Sequence, residues 1–213
     1  MFRIFPLSPE REFQSTKDSG TIILGGPLTA KTSLLFQAAL SLSAQGKRVV
    51  FIRPNKFVNL PNCVKNMTKP THTTMKLIKF LYLNSSDLVK YLSEVHLSSS
   101  TFDAILVDDM QCYVQANDDN LEHALAKLLA LFKDTVSYLS LKTNETCIFM
   151  STVTENNRQS IYARIGQIFF HLWQINTCNE FFSIISYPDT KLKIYYEVKD
   201  EISLKEVKRN SEN

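Results

Sequence analysis

Between Ser19 and Ser86 the chain contains no aspartate and no glutamate. The same stretch carries nine basic residues: Lys31, Lys47, Arg48, Arg53, Lys56, Lys65, Lys69, Lys76 and Lys79. Residues 1–18 hold three charges of each sign, so a net charge of +3 leaves −6 for residues 87–213. Either this half presents a positive face to an anionic partner, or its lysines are scattered and solubilising, because a run in sequence need not be a patch in space. No apolar run reaches the ~18 residues that span a bilayer, so a soluble protein without membrane contact is expected. The opening FRIFPLSPEREF lacks an apolar signal core and a small-residue cleavage site, so no secretory address is expected. The four cysteines, Cys63, Cys112, Cys147 and Cys178, form no C-x-x-C pair and do not cluster with histidine. That pattern argues against a zinc site or a disulfide framework and fits a reducing compartment, cytosol or nucleus. Cys112 and Cys147 fall in apolar stretches and read as small core residues.

What is present fits one domain with a real core: 213 residues, 44% of them apolar. Residues 1–20 read as a polar tail, 21–198 as the folded core and 199–213 as a charged tail. Thr21–Leu24 reads as a buried strand, Lys31–Gln45 as a helix stopped by Gly46, and Arg48–Ile52 as a second strand. Pro54 to Thr74 has three prolines and no periodicity, which makes it a long connection with a function or a partner of its own. Met75–Leu83 reads as a strand. A helix capped near Ser85 runs to about Val95, and Phe102–Val107 reads as another strand. A long helix covers Asn117–Ser140, with Asp118 and Asp119 near its positive end. Thr146–Met150 reads as a strand and Ser151–Arg158 as a polar loop. Three strands then follow, Ile168–Trp173, Phe181–Ile185 and Leu192–Val198, the last two joined by a turn at Ser186–Thr190. Alternating strands and helices followed by strands predict an α/β fold. Its mostly parallel central sheet carries helices on both faces and antiparallel C-terminal strands.

Ile22 to Leu35, IILGGPLTAKTSLL, is the stretch with the clearest chemistry. A strand, a short polar loop, Lys31-Thr32 and a helix follow one another, the order of a P-loop. There, backbone N–H groups and the helix start hold phosphate oxygens. The candidate nucleotide-binding residues are Gly25, Gly26, Pro27, Leu28, Thr29, Ala30, Lys31, Thr32 and Ser33. Lys31 would reach the β- and γ-phosphates, and Thr32 would ligate Mg²⁺. Ala30 stands where G-x-x-x-x-G-K-[ST] has its second glycine, Pro27 removes one N–H, and Gly26 could relieve part of the backbone strain. The bland alternative is a helix N-terminus with a chance Lys-Thr. FDAILVDD supplies the second signal, an apolar strand ending in Asp108 about 75 residues after the loop. Asp108 would hold the Mg²⁺ shell and Asp109 could polarise water; the alternative is two acids ending a strand at a turn.

The succession GGPLTAKTSLLFQAAL, RVVFIRP, MKLIKFLYLNSSDLVKYL, FDAILVDDMQCYV and ETCIFMSTV resembles the P-loop ATPase core of RecA-type recombinases and their paralogues. KLIKFLYLNSSDLVKYL is the most telling part. Within that group the chain is similar to the small paralogue that pairs with a SWIM-type zinc-finger protein in a Shu-like complex. The resemblance covers roughly residues 20–198 and implies a RecA-like P-loop ATPase core that binds ATP and Mg²⁺. It also implies a nuclear heterodimer, with a SWIM-type partner, that binds single-stranded DNA and supports recombinase filaments in homologous-recombination repair. The family's water-activating glutamate follows the second strand; here IRPNK stands there, with Asn55 nearest. The family's γ-phosphate-sensing glutamine gives way to Ser151, Thr152 and Val153. The DNA-facing loops look short, and no separate N-terminal DNA-binding domain is expected. Hydrolysis is therefore expected to be weak at most, with Lys31 and Asp108 carrying whatever turnover there is.

DNA contacts would come from Arg53, Lys56, Lys65 and Lys69 tracking a backbone, with Phe57 as a stacking platform. The competing reading is a loop that orders on a protein partner. Phe169, Phe170, Trp173, Phe181 and Phe182 read as core or subunit interface rather than as a base-stacking surface. Two other functions stay open: an active DNA-stimulated ATPase of the same fold, and a small-molecule phosphotransferase. The latter is disfavoured because Arg158 and Arg164 are the only arginines between Arg53 and Arg209.

Overall fold

The computed structural model describes residues 4–6, 20–99, 101–114, 120–143, 146–154, 156–178, 181–187 and 192–209. Five helices and nine strands are formed among them. The chain runs β1 (Gly20–Gly25), α1 (Lys31–Ala44), β2 (Val49–Arg53), α2 (His72–Lys76), β3 (Ile78–Tyr82), α3 (Ser85–Val95) and β4 (Ala104–Val107). A 3-10 turn (Met110–Tyr113) leads to α4 (Leu121–Thr143), β5 (Cys147–Val153) and α5 (Asn156–Phe169). The strands β6 (His171–Cys178), β7 (Phe181–Tyr187), β8 (Leu192–Val198) and β9 (Ile202–Arg209) close the chain.

All nine strands join one sheet in the order β3-β2-β4-β5-β1-β6-β7-β8-β9. The six from β3 to β6 run parallel, and the three that follow β6 are antiparallel. Parallel strands are buried on both faces, which is why β1, β2 and β4 read as unbroken apolar runs. Val49 and Phe51 pack with α1 on one face; Val50 and Ile52 pack with α3, α4 and α5 on the other. The parallel direction brings Gly25, Arg53, Val107 and Val153 to one edge of the sheet, the carboxyl edge where ligands of such folds bind. The expected mixed α/β sheet is present.

Five local expectations are corrected. The strand expected over Met75–Leu83 begins at Ile78, because Thr71 and Thr74 form a capping box that starts α2. β5 runs on to Val153, and α5 replaces most of the polar loop placed at Ser151–Arg158. The apolar face of α5 is Ile161, Tyr162, Ile165 and Phe169, a helical spacing that many polar neighbours obscure. Gly166 lets α5 lie directly on the sheet, since a Cβ there would stand 3.0 Å from Leu172 Cδ2 and 3.2 Å from Ile22 Cδ1. Residues 202–209 form strand β9 instead of a tail; its charges belong to a solvated edge strand, with Ile202 buried and Lys205, Glu206 and Lys208 exposed. Cys112 is exposed on the 3-10 turn, not in the core, and Cys147 is half-buried. In the expected N-terminal tail, Ile4 and Phe5 are buried in the core. The expected start of the long helix around Asn117 to Asp119 and the turn at Pro188 lie outside the described residues.

The long connection after β2 is tied across α1. The buried Gln37 side chain accepts from Val64 N at 2.9 Å and donates to Thr68 O at 3.0 Å. Val64 bridges Ile202, Lys65 N donates to Ile202 O, and Asn62 donates to Lys199 O. One side chain thus supplies backbone partners that a loop lacking secondary structure would otherwise need from water.

Candidate functional site

The loop between β1 and α1 keeps its course without its second glycine. Ala30 sits at φ 59° and Leu28 at φ 58°, both in the left-handed region. An alanine there costs about 1 kcal/mol relative to glycine. Gly26 does not relieve this strain: its φ is not positive, so Leu28 and Ala30 make the left-handed turns. The loop is held from within and from below. Thr29 Oγ1 donates to Gly26 O at 3.0 Å, and Tyr196 on β8 donates its buried hydroxyl to Thr29 O at 2.9 Å. Tyr196 in turn packs between Phe5 and Phe182.

Ala30 offers α1 no side-chain cap, and the first turn has no acid. The first amide groups of a 14-residue helix are thus left for an anion. Lys31 is buried and donates to Gly26 O and to Thr29 Oγ1 (3.0 Å). Burial lowers its pKa to about 8, against the opposing pull of Asp109 and Asp108. A phosphate in the loop would supply the countercharge that these neutral oxygens lack.

Thr32 reaches across to the end of β4, its hydroxyl 2.9 Å and 3.1 Å from the two carboxylate oxygens of Asp108. Asp108 N continues the β2–β4 ladder by donating to Ile52 O, which fixes the carboxylate beside the last residue of β2. Ser151 Oγ donates to Asp108 Oδ1 at 2.6 Å. Burial pushes the Asp108 pKa up and Asp109 adds to this, while the Ser151 and Thr32 hydrogen bonds and Arg53 oppose it. The Thr32 hydroxyl and the Asp108 carboxylate are the hard oxygen donors a Mg²⁺ shell takes, so the donor types fit the ion that a P-loop implies.

Beside that pair stands a cation. Arg53, the last residue of β2, places Nε 3.8 Å from Asp108 Oδ2 and Nη2 4.0 Å from Asp109 Oδ2. Its guanidinium lies 4.0 Å over the Phe57 ring, and Phe57 packs against Phe36, Phe51 and Phe80. Arg53 and Phe57, expected among the DNA contacts, stand beside Asp108, with one face of Phe57 covered by the guanidinium. The sequence showed only that Arg53 closes one apolar run and Asp108 follows another; that these runs are neighbours comes from the sheet order. Gln111 was also missed. It accepts from Val153 N (2.9 Å) and Thr152 Oγ1 (3.1 Å) and donates to Asp109 Oδ1 (3.1 Å), joining the ends of β4 and β5. Asn55 is exposed just beyond β2.

The other proposed DNA contacts lie elsewhere. Lys56 and Lys65 are exposed on the long connection, and Lys69 pairs with Glu201 at the β8–β9 turn. The acid-free segment therefore divides its charge. Lys31 and Arg53 sit at the carboxyl edge, and Arg48, which pairs with Asp103, sits at the opposite end of β2. Two open clefts of ≈ 340 and ≈ 380 Å³, lined around Phe170 and around Val49, also lie at the amino ends of strands.

A mixed sheet of this order with a phosphate loop after β1 and an acid after β4 is a RecA-like P-loop ATPase fold. Solved structures agree: a KaiC-like protein of Pyrococcus horikoshii OT3 and the flagellar accessory protein FlaH of Methanocaldococcus jannaschii both superpose with a TM-score of 0.58. Each comparison covers 88% of this chain and 89% of the other, at 11% and 14% identity respectively. In sequence, the chain is 32% identical over 131 residues to ATPase SWSAP1 of Mus musculus. That match takes in 59% of this chain and 46% of the mouse protein, so the chain spans about half the length of the curated relative it matches. The two solved structures support the expected fold, and the partial sequence match is in keeping with the expected resemblance. No protein-family model matches the chain.

Proposed function

We propose that this chain is a recombinase-paralogue subunit that binds ATP in the Lys31–Thr32–Asp108 corner and supports homologous-recombination repair through partners, with little turnover of its own. The observation that supports the reading is the meeting of Lys31, Thr29, Thr32 and Asp108 after β1 and β4, in a chain similar in part to SWSAP1. In this reading Lys31 and the first amides of α1 bind the phosphates, and Thr32 and Asp108 hold Mg²⁺, whose chemistry when bound is neutralisation of phosphate charge. Tyr196 and Thr29 keep the loop open to the ligand from beneath. No acid replaces the expected glutamate beyond β2, so nothing there is arranged to take a proton from attacking water. The partners proposed are a SWIM-type zinc-finger protein in a heterodimer, single-stranded DNA and the recombinase filament, with a nuclear location. No helix among the described residues is long and apolar enough to cross a membrane. Lys56 and Lys65, exposed on the long connection, are the basic residues proposed to face DNA phosphates.

The mouse relative is named an ATPase, which favours the catalytic part of the second reading, an active ATPase of the same fold that DNA would stimulate. One experiment separates the two. The chain is co-expressed with a SWIM-type protein, and the complex is assayed for ATP hydrolysis with and without single-stranded DNA, as wild type and as Lys31→Ala. Stable co-purification with slow hydrolysis supports the proposal. Fast hydrolysis that rises with DNA and disappears in Lys31→Ala sinks the low-turnover part. Failure to co-purify sinks the heterodimer. DNA binding that does not weaken with salt argues against phosphate contacts by Lys56 and Lys65.

A further inference from the structure

Arg53 is charged, largely buried and under-used. Its side chain is 15% exposed, and its Nε is buried with no hydrogen-bond partner among the described residues. A guanidinium recruited to brace a carboxylate forms parallel hydrogen bonds of about 2.7–2.9 Å. Here the nearest carboxylate oxygens are 3.8 Å and 4.0 Å away. Asp108 is already served by Thr32 and Ser151, and Asp109 by Gln111. The guanidinium is nonetheless held in place, with one face on Phe57 and with β2 fixed between β3 and β4. A buried charged donor positioned so firmly and bonded so little has capacity for another acceptor. The charge balance of the corner points the same way: Lys31 and Arg53 against Asp108 and Asp109 sum to zero. A divalent ion bound between Thr32 and Asp108 would therefore share Asp108 with a resident cation.

We infer that Arg53 is a built-in counter-cation of the nucleotide site, donating to the anionic phosphates from beside Asp108, so that nucleoside triphosphate binds with little dependence on a divalent metal. This rests on the nucleotide reading proposed above and adds to it the residue that neutralises the ligand. A guanidinium suits the task because it stays protonated at any working pH and offers five N–H donors.

The test is equilibrium binding of a fluorescent ATP analogue to the full chain in Mg²⁺ and in EDTA. Wild type is expected to lose less than about threefold in affinity when the metal is removed, the scale of a fraction of one charge-assisted hydrogen bond. Arg53→Gln, which keeps the shape of the side chain and removes its charge, is expected to lose about tenfold or more in EDTA and much less in Mg²⁺. Arg53→Lys is expected to fall between them. A wild-type loss of about tenfold or more in EDTA overturns the inference, whatever the variants do. So does an Arg53→Gln protein, folded by its melting curve, whose metal response matches wild type. Absence of binding in both buffers removes the nucleotide reading itself, whereas binding that requires metal removes only the role given to Arg53.

Discussion

The two halves of the proposed nucleotide corner differ in kind. At the half proposed to hold phosphate, Lys31 lies in the loop, Thr32 bonds Asp108, and Ala30 takes a left-handed backbone conformation that favours glycine. At the water-activating half, β2 ends in Arg53, Asn55 lies exposed beyond it, and β5 ends in hydroxyl side chains tied to Asp108 and Gln111. Holding phosphate needs backbone amides and cations, and these tolerate substitution because they act through charge and N–H direction. Splitting phosphate also needs a base placed on a water molecule, and among the described residues beyond β2 no acid stands in the place of the expected glutamate. In the proposed reading binding and turnover are separable, and each prediction presses on one half.

The largest effect falls on the holding half. Lys31→Ala is expected to reduce affinity for a fluorescent ATP analogue by about a hundredfold, the loss of roughly two charge-assisted hydrogen bonds to phosphate. Retained binding would mean the loop amides suffice alone. On the other half, Asn55→Glu restores an acid beyond β2 and is expected to raise ATP turnover at least ~tenfold, below the 10²–10⁴ that a well-placed general base supplies. An unchanged rate in a protein that still binds ATP would show that something other than the missing acid limits hydrolysis.

Acidity gives the third contrast. Lys31 titrates near pH 8 when its partners are neutral oxygens, and a bound phosphate favours its charged form. Above pH 8 the free protein holds this lysine increasingly neutral, so nucleotide binding must take up a proton. Affinity is expected to fall as pH rises past 8, by up to about tenfold per unit, and to level off below it. Calorimetry in two buffers of different ionisation enthalpy at pH 8.5 reads the proton directly; identical heats would contradict the shift. The stability sign also follows. Lys31 is lowered relative to its unfolded value of 10.5, so its penalty is complete below pH 8 and eases as pH rises from 8 toward 10.5.

Two smaller effects test the loop's support. Tyr196→Phe removes the hydroxyl bonded to Thr29 O and leaves a buried carbonyl unpaired, at a cost of about 1–2 kcal/mol in denaturant unfolding. Ala30→Gly relieves a left-handed alanine and is expected to gain up to ~1 kcal/mol, or about 2–4 °C in Tm. A loss there would mean that the glycine's extra freedom in the unfolded chain outweighs the strain relieved.

The parallel half of the fold was legible because its strands are buried on both faces and its helices keep a 3.6-residue period. β1, α1, β2, α3 and β4 lie within a few residues of where the apolar runs put them. What escaped was polar by composition yet fixed by tertiary contact. α5 hides its stripe of Ile161, Tyr162 and Ile165 among asparagine, arginine and glutamine, and β9 carries a charge at every exposed step. At the candidate site, the meeting of Lys31, Thr32 and Asp108 was legible because it follows from the order of loop, helix and strand in the chain. Arg53 and Tyr196 were not, since their importance comes from strand neighbours that no local spacing announces. Arg53 meets Asp108 across the β2–β4 ladder, and Tyr196 meets Thr29 from a strand 167 positions later.

The measurement that bears most directly on a site that holds nucleotide without spending it is occupancy and turnover in one preparation. The chain, purified with the proposed SWIM-type partner and supplied with saturating single-stranded DNA, is titrated with ATP while bound nucleotide and released phosphate are both followed. The account predicts near-stoichiometric occupancy abolished by Lys31→Ala, with turnover below about 0.01 per second, far under the ~1–10³ per second of ordinary enzymes. DNA-stimulated turnover of about 1 per second or more, lost in Lys31→Ala, would contradict it.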